Sequence, residues 1–212
     1  GIWNAEKQGG WGTGNFSFIR KCNYLLENMK KAEGRVSDET YKHYNGVAHF
    51  WRGYAHFVKV SDFGNVPYID HVPTTSDSLT LYGKRQDREF VMHKVIEDLD
   101  TACTQCVGSE KYLTSGRTYI NKWVALAMQA KICLFEASYR KYHSVNPSTG
   151  EAWSNKYETA EALYRKAAAA CEEIINSGVF KLHAGPAASA YSELFLSEAI
   201  PTDEVIWSRQ AS

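Results

Sequence analysis

The sequence predicts an all-α protein, an irregular stack of antiparallel helices. Apolar residues recur at helical spacing through successive segments, Gly and Pro punctuate the gaps between them, and no alternating run is long enough to argue for a sheet. The segment around residues 46–63 is the clearest. Val47, Trp51, Tyr54, Val58 and Ser61 follow one face, and Gly46, Phe50, Gly53, Phe57 and Val60 follow the next. Two apolar stripes with small residues among the rings call for neighbours on both sides, so this is expected to be an inner helix. Its remaining stripe, Asn45, His49, Arg52, His56 and Lys59, is polar and is expected to face outward; His49, Arg52, His56 and Lys59 could bind an acidic group, with a solvated helix face the favoured reading.

Taken in order, residues 1–15 are Gly-rich with Trp3 and Trp11 and have no periodicity, which predicts a loop or arm. No Gly-Lys-Ser/Thr follows those glycines, so they do not form a phosphate loop. Phe16, Ile19, Asn23, Leu26 and Met29 predict a first helix, with Gly34 marking its end. Ser37 is a good N-cap for the central helix, Asp38 and Glu39 suit its first turn, and Gly64 and Pro67 stop it. Residues 65–87 then read as a long surface connection. Val91, Val95, Leu99 and Ala102 describe a helix from Arg88 to Cys106. Trp123, Ala127, Ala130, Leu134 and Ala137 describe a second inner helix, Ile120 to Tyr142. Asn155 and Glu158 resemble a capping box ahead of a last helix, Lys156 to Ser177, closed by Gly178. The division expected is one domain over 1–212: an arm (1–15), a helical core (16–182) and an irregular exit (183–212) with a short strand at Val205-Ile206-Trp207.

Composition narrows the function. Lys plus Arg (24) equals Asp plus Glu (24) and no basic block is present, so no nucleic-acid partner is expected. Cys103-x-x-Cys106 lacks the second pair or spaced histidines of a zinc site, and Cys133 and Cys171 read as small buried hydrophobes. No metal, cofactor or cysteine nucleophile is expected. His49 and His56 are two turns apart, not the i, i+4 pair of a helical zinc site. Glu97, Asp98 and Asp100 are the one crowded acidic place, and no residue pattern commits to catalysis. There is no signal-peptide pattern and no apolar run of membrane-spanning length, and the chain reads as a segment of something longer.

Several blocks, in order, carry a family resemblance. Ile19-Arg20-x-x-Asn23 with Leu26-Glu27-Asn28, then Ala48, Phe50, Arg52, Tyr54, Phe57, Val60 and Phe63-Gly64-x-Val66-Pro67, are similar to the N-terminal part of SusD/RagB outer-membrane nutrient-binding proteins of Bacteroidota. So are Arg88 through Val91, Ile96, Asp98 and Leu99, the Gly116-Arg117 and Trp123–Leu134 block, and Tyr157 to Leu182. Val47 and Asn65 depart from the pattern, each where the family favours an acid. The resemblance implies a truncated, tetratricopeptide-like helical stack whose further C-terminal part is absent here, although the spacing of the helix starts keeps no strict tetratricopeptide period. It also implies a non-enzymatic lipoprotein on the outer membrane at the cell surface, anchored by a lipid upstream of Gly1, that captures oligosaccharide or oligopeptide and delivers it to a SusC-like TonB-dependent transporter.

Sugars are held by aromatic rings against pyranose C–H faces, with polar side chains on the hydroxyls. Trp3, Asn4, Trp11 and Asn15 offer that chemistry in the arm, a region where the family places part of its glycan site; the alternative is that these rings pack the arm onto the helices. Trp153 in the 143–155 loop and Tyr68 or Tyr82 in the long connection could instead contact a partner, with ordinary loop packing the favoured reading for each. Two other functions stay open: a tetratricopeptide scaffold binding protein segments in its groove, and an α-helical glycoside hydrolase, which needs two carboxylates flanking a cleft.

Overall fold

Polar caps set the helix starts. In the computed structural model, which describes residues 16–109, 112–113, 117–154, 156–186, 189–196 and 200–209, α1 (Ser17–Met29) runs into a short 3₁₀ turn and a left-handed Gly34 at φ 71°. The Ser37 side chain accepts from the Thr40 N–H to open α2 (Asp38–Phe63), and Gly64 at φ 72° closes it. Asp77, Asp87, Asn121 and Thr159 cap α3 (Ser78–Tyr82), α4 (Arg88–Gln105), α5 (Lys122–Tyr142) and α6 (Ala160–Asn176) in the same way. A short α7 (Ala190–Leu196) lies in the exit.

The helices pack in sequence: α1 on α2, α2 on α4, α4 on α5, α5 on α6. This is the all-α stack expected. Phe50 and Val60 of α2 meet Val91, Val95 and Leu99 of α4 and Val124 and Ile132 of α5 in the main core. Ile96, Cys133, Ala137, Leu163 and Ala167 continue it toward α6. The α2–α4 crossing is tight because glycine lies on it. A Cβ at Gly46 would sit 2.9 Å from the Cys106 backbone nitrogen, and one at Gly53 would sit 3.0 Å from the Asp98 Cβ.

Several expectations are corrected. The polar stripe of α2 does not face outward: Arg52, His56 and Lys59 are buried, His56 completely. It is instead the Val47, Trp51, Tyr54 stripe that runs out to solvent, at Val58 and Ser61. The Val205-Ile206-Trp207 run forms no strand; among the described residues the chain shows a single isolated bridge, between Val66 and Gln86. These residues pack by side chain, Ile206 and Trp207 lying on the main core. The last long helix starts at Ala160 because Thr159, not a residue at 155, supplies the cap; Asn155 lies outside the described residues. Cys171 is exposed, whereas Cys133 is buried as expected. Among the described residues no helix is long and apolar enough to cross a membrane.

Candidate functional site

The α2 residue Arg52 organises the part of the surface best built for binding. Its guanidinium clamps Asp98 of α4, Nε donating to Oδ2 at 2.9 Å and Nη2 to Oδ1 at 2.6 Å. Nη1 donates to Asn23 Oδ1 and to the Asp70 carbonyl, each at 3.3 Å. Asn23, fully buried on α1, donates through Nδ2 to the Ile69 and His71 carbonyls at 2.8 and 2.9 Å. His56 donates from Nδ1 to the Arg52 carbonyl at 3.0 Å and accepts the Ile69 N–H on Nε2 at 3.2 Å. Residues of α1 and α2 thus pin the backbone of residues 69–71, with Asp98 of α4 holding the Arg52 guanidinium in place.

The electrostatics follow from burial. It pushes His56 down to about 4, so this imidazole stays neutral and can accept from Ile69. Burial acts against the Asp98 carboxylate, but hydrogen bonds from His49 and Arg52 outweigh it and hold Asp98 below the usual range. Arg52 is pulled down by burial and raised, on balance, by Asp98. Burial, with the charge of Asp98 adding to it, raises the Tyr68 phenol, which therefore stays a protonated donor.

The pinned segment separates two clefts. Tyr68 and Asp70 turn to one side, where with His49 and Arg52 of α2 and Lys94, Glu97, Asp98 and Thr101 of α4 they line an open polar cleft of 540 Å³. Pro67 and Ile69 turn to the other, where Phe16, Arg20, Pro73 and Leu81 help to line an apolar cleft of 460 Å³. The first offers hydrogen-bonding groups held in place by buried partners. That arrangement suits polar ligands; among the described residues that line it, none is a nucleophile set beside a base. Four thiols are likewise unactivated, burial pushing Cys22 up to about 11 and Cys103, Cys106 and Cys133 up to about 12. No group of three or more His, Cys, Asp or Glu among the described residues is placed to hold a metal ion.

Of the residues singled out in the sequence, Trp3, Asn4, Trp11 and Asn15 lie outside the described residues. Tyr68 lines the polar cleft, with its ring against His56 at 4.7 Å and edge-on to Phe90 at 6.0 Å. Trp153 is used in loop packing, its Nε1 donating to the His143 carbonyl at 2.6 Å. Tyr82 is exposed and lines neither of these clefts. His49 and Arg52 enter the polar cleft, while Lys59 is buried with its ammonium 5.1 Å from the Phe16 ring centre. Sequence reasoning missed the cleft because it placed the polar stripe of α2 in solvent. A signal was available: Asn23, Arg52 and Asp98 are polar residues of three separate blocks that carry the family resemblance, and they meet in one network.

A family model described as SusD-like, starch-binding associating with outer membrane, matches residues 4–134. The chain belongs to the SusD-like family. Among solved structures it is similar to a SusD-like protein from Bacteroides fragilis, at 20% identity and TM-score 0.68, over 91% of this chain and 31% of that one. A SusD superfamily protein from the same species gives 21% and 0.67, and surface glycan-binding protein A from Bacteroides fluxus 21% and 0.64, each over 91% of this chain and 34% of the other. This SusD-like chain therefore spans about a third of the length of the structures it matches. No curated protein matches it.

Proposed function

We propose that this chain is the helical portion of a cell-surface protein that captures glycan at the outer membrane and passes it, without breaking a bond, to a SusC-like TonB-dependent transporter. In this reading a lipid anchor upstream of Gly1 holds the protein to the membrane, and the Trp3, Asn4, Trp11 and Asn15 arm contributes ring surface and amide groups to the ligand. The observation that carries the reading is the polar cleft on the pinned 69–71 segment, since fixed, uncharged-ligand-compatible hydrogen-bonding groups suit capture. Membership in a family described as starch-binding, and likeness in fold to a surface glycan-binding protein, support it.

The test is affinity electrophoresis and calorimetry of the intact protein against neutral, amino and acidic oligosaccharides and against peptides, followed by isolation of the native protein from its membrane. Saturable glycan binding without product release, and co-isolation of a β-barrel transporter at equal stoichiometry, are expected. Peptide binding alone, with soluble helical partners, would replace the reading by a tetratricopeptide scaffold. Release of shortened oligosaccharides would replace it by a glycoside hydrolase.

A further inference from the structure

We infer that the polar cleft between α2, α4 and the Tyr68–Asp70 segment is a subsite for one non-acidic sugar ring, read by a lone pair on His49 and the hydroxyl of Tyr68. This rests on the glycan-capture reading above and goes beyond it in naming the groups and the class of sugar.

The first argument is the tautomer of His49. Its Nδ1 lies 2.7 Å from Asp98 Oδ1, and Asp98 is held as a carboxylate by Arg52 and can only accept. In the neutral ring the proton therefore sits on Nδ1, from which the Arg52 Nη2 donor also lies 3.4 Å, and Nε2, the other nitrogen of a residue that lines the cleft, carries the lone pair. On the pinned segment, Tyr68 keeps its phenolic proton at any pH near neutrality and supplies a donor. A sugar ring presents hydroxyls that donate and accept at once, so an acceptor and a donor each fixed from behind match it. Both groups are ordered before the ligand arrives, which removes an entropic cost of binding.

The second argument is charge. Among the described residues the cleft lining carries four carboxylates, Asp70, Glu97, Asp98 and Asp100, against two cations, Arg52 and Lys94. Arg52 is spent on Asp98, Asn23 and the Asp70 carbonyl, and Lys94 donates to Glu97 at 2.7 Å. Asp70 pairs with His71 and Asp100 with Lys166, and neither of those partners lines the cleft. An acidic sugar would meet this excess of carboxylates over cations, which costs affinity for that class.

The experiment is long-range nitrogen–proton NMR of the intact protein with nitrogen-15 in its histidines. The probes are methyl glucoside, methyl galactoside, N-acetylglucosamine and galacturonate. The expected result is a His49 ring in the Nδ1–H form whose Nε2 resonance moves saturably with at least one neutral sugar and stays still with galacturonate. Tyr68→Phe, which keeps the ring contacts to His56 and Phe90, is expected to weaken that binding about threefold to tenfold, the loss of one hydrogen bond. If oligosaccharides bind the protein while the His49 signal does not move, or if galacturonate binds as well as the neutral sugars, the subsite is wrong and glycan capture survives. If no glycan binds at all, both fall together.

Discussion

His56 is a histidine whose native structure requires it to stay uncharged. Its Nε2 must accept from Ile69 and its Nδ1 must donate to Arg52, and burial pushes its folded value down to about 4 from an ordinary 6.5. Because the unfolded chain takes up a proton at 6.5 and the folded one does not, the His56 contribution is greatest above 6.5 and falls as pH drops toward 4, by about 3 kcal/mol in all. His71 and His183, both raised by carboxylate partners, act with the opposite sign, their contribution being complete below about 6 and lost above 6.5, and the lowered carboxylates Asp77, Asp98, Glu193 and Asp203 act only below their own ordinary values near 4, so the window from about 6 down to 4.5 belongs to His56. Urea unfolding at pH 6.0 and 4.5 should show about 2 kcal/mol of this loss in the wild type, and His56→Gln, which keeps a donor and an acceptor, should flatten the slope. An unchanged slope in the variant would show that His56 is not the group that titrates. None of this was legible from the histidine's position alone. A polar residue on a helix is assigned to solvent by default, and the partners that reverse the assignment for Arg52, Asn23 and Asp98, lie 29 and 46 residues away in sequence.

At the scale of the element, the helices were legible where a cap and a long apolar period agreed. Ser37 and Gly64 bound α2 as read, and Asp87 caps an α4 whose start at Arg88 the periodicity had given. The short α3 and α7 escaped because five and seven residues hold too little of a 3.6-residue period to register. The small residues at the crossings were read correctly as contact points, and Gly46 makes the point testable. Alanine there gains about 1 kcal/mol of helix propensity, but its methyl group would meet the Cys106 backbone nitrogen and Sγ, both at 2.9 Å. Backbone cannot rotate away as a flexible side chain can, so Gly46→Ala should destabilise by about 1–2 kcal/mol net. Thermal unfolding compared with an alanine at Gly34, which meets nothing within 4 Å but sits at φ 71°, separates crowding from backbone strain. No loss at Gly46, or a gain from helix propensity, would mean that the α2–α4 crossing is not close-packed there.

For the whole molecule the question is whether the stack is a row of neighbours or a closed unit. Helices packed only on their sequence neighbours would behave quasi-independently, the property of solenoids. The exit segment argues for closure. Trp207 returns from the far end of the chain to place its ring edge-on to Phe50 and Trp51 of α2, with centres 6.1 and 6.0 Å apart, and Ser208 donates its N–H to the Arg117 carbonyl at 2.9 Å. The strand expected at this run misjudged the means, since β-rich residues here serve side-chain packing and not a ladder, but the apolar character that prompted it is what seats the segment on the core. Trp207→Ala should therefore cost about 2–3 kcal/mol, less than a fully buried tryptophan, and should lower the midpoint of a single transition seen at both ends of the chain. Hydrogen exchange supplies the decisive readout: amides of α2 should lose protection by the same amount as those of α6. Protection lost only in residues 200–209, with α2 unchanged, would make the exit an appendage and return the molecule to an open row. Leu196→Ala is the reference, since that side chain is 81% exposed and should change stability by no more than about 0.5 kcal/mol.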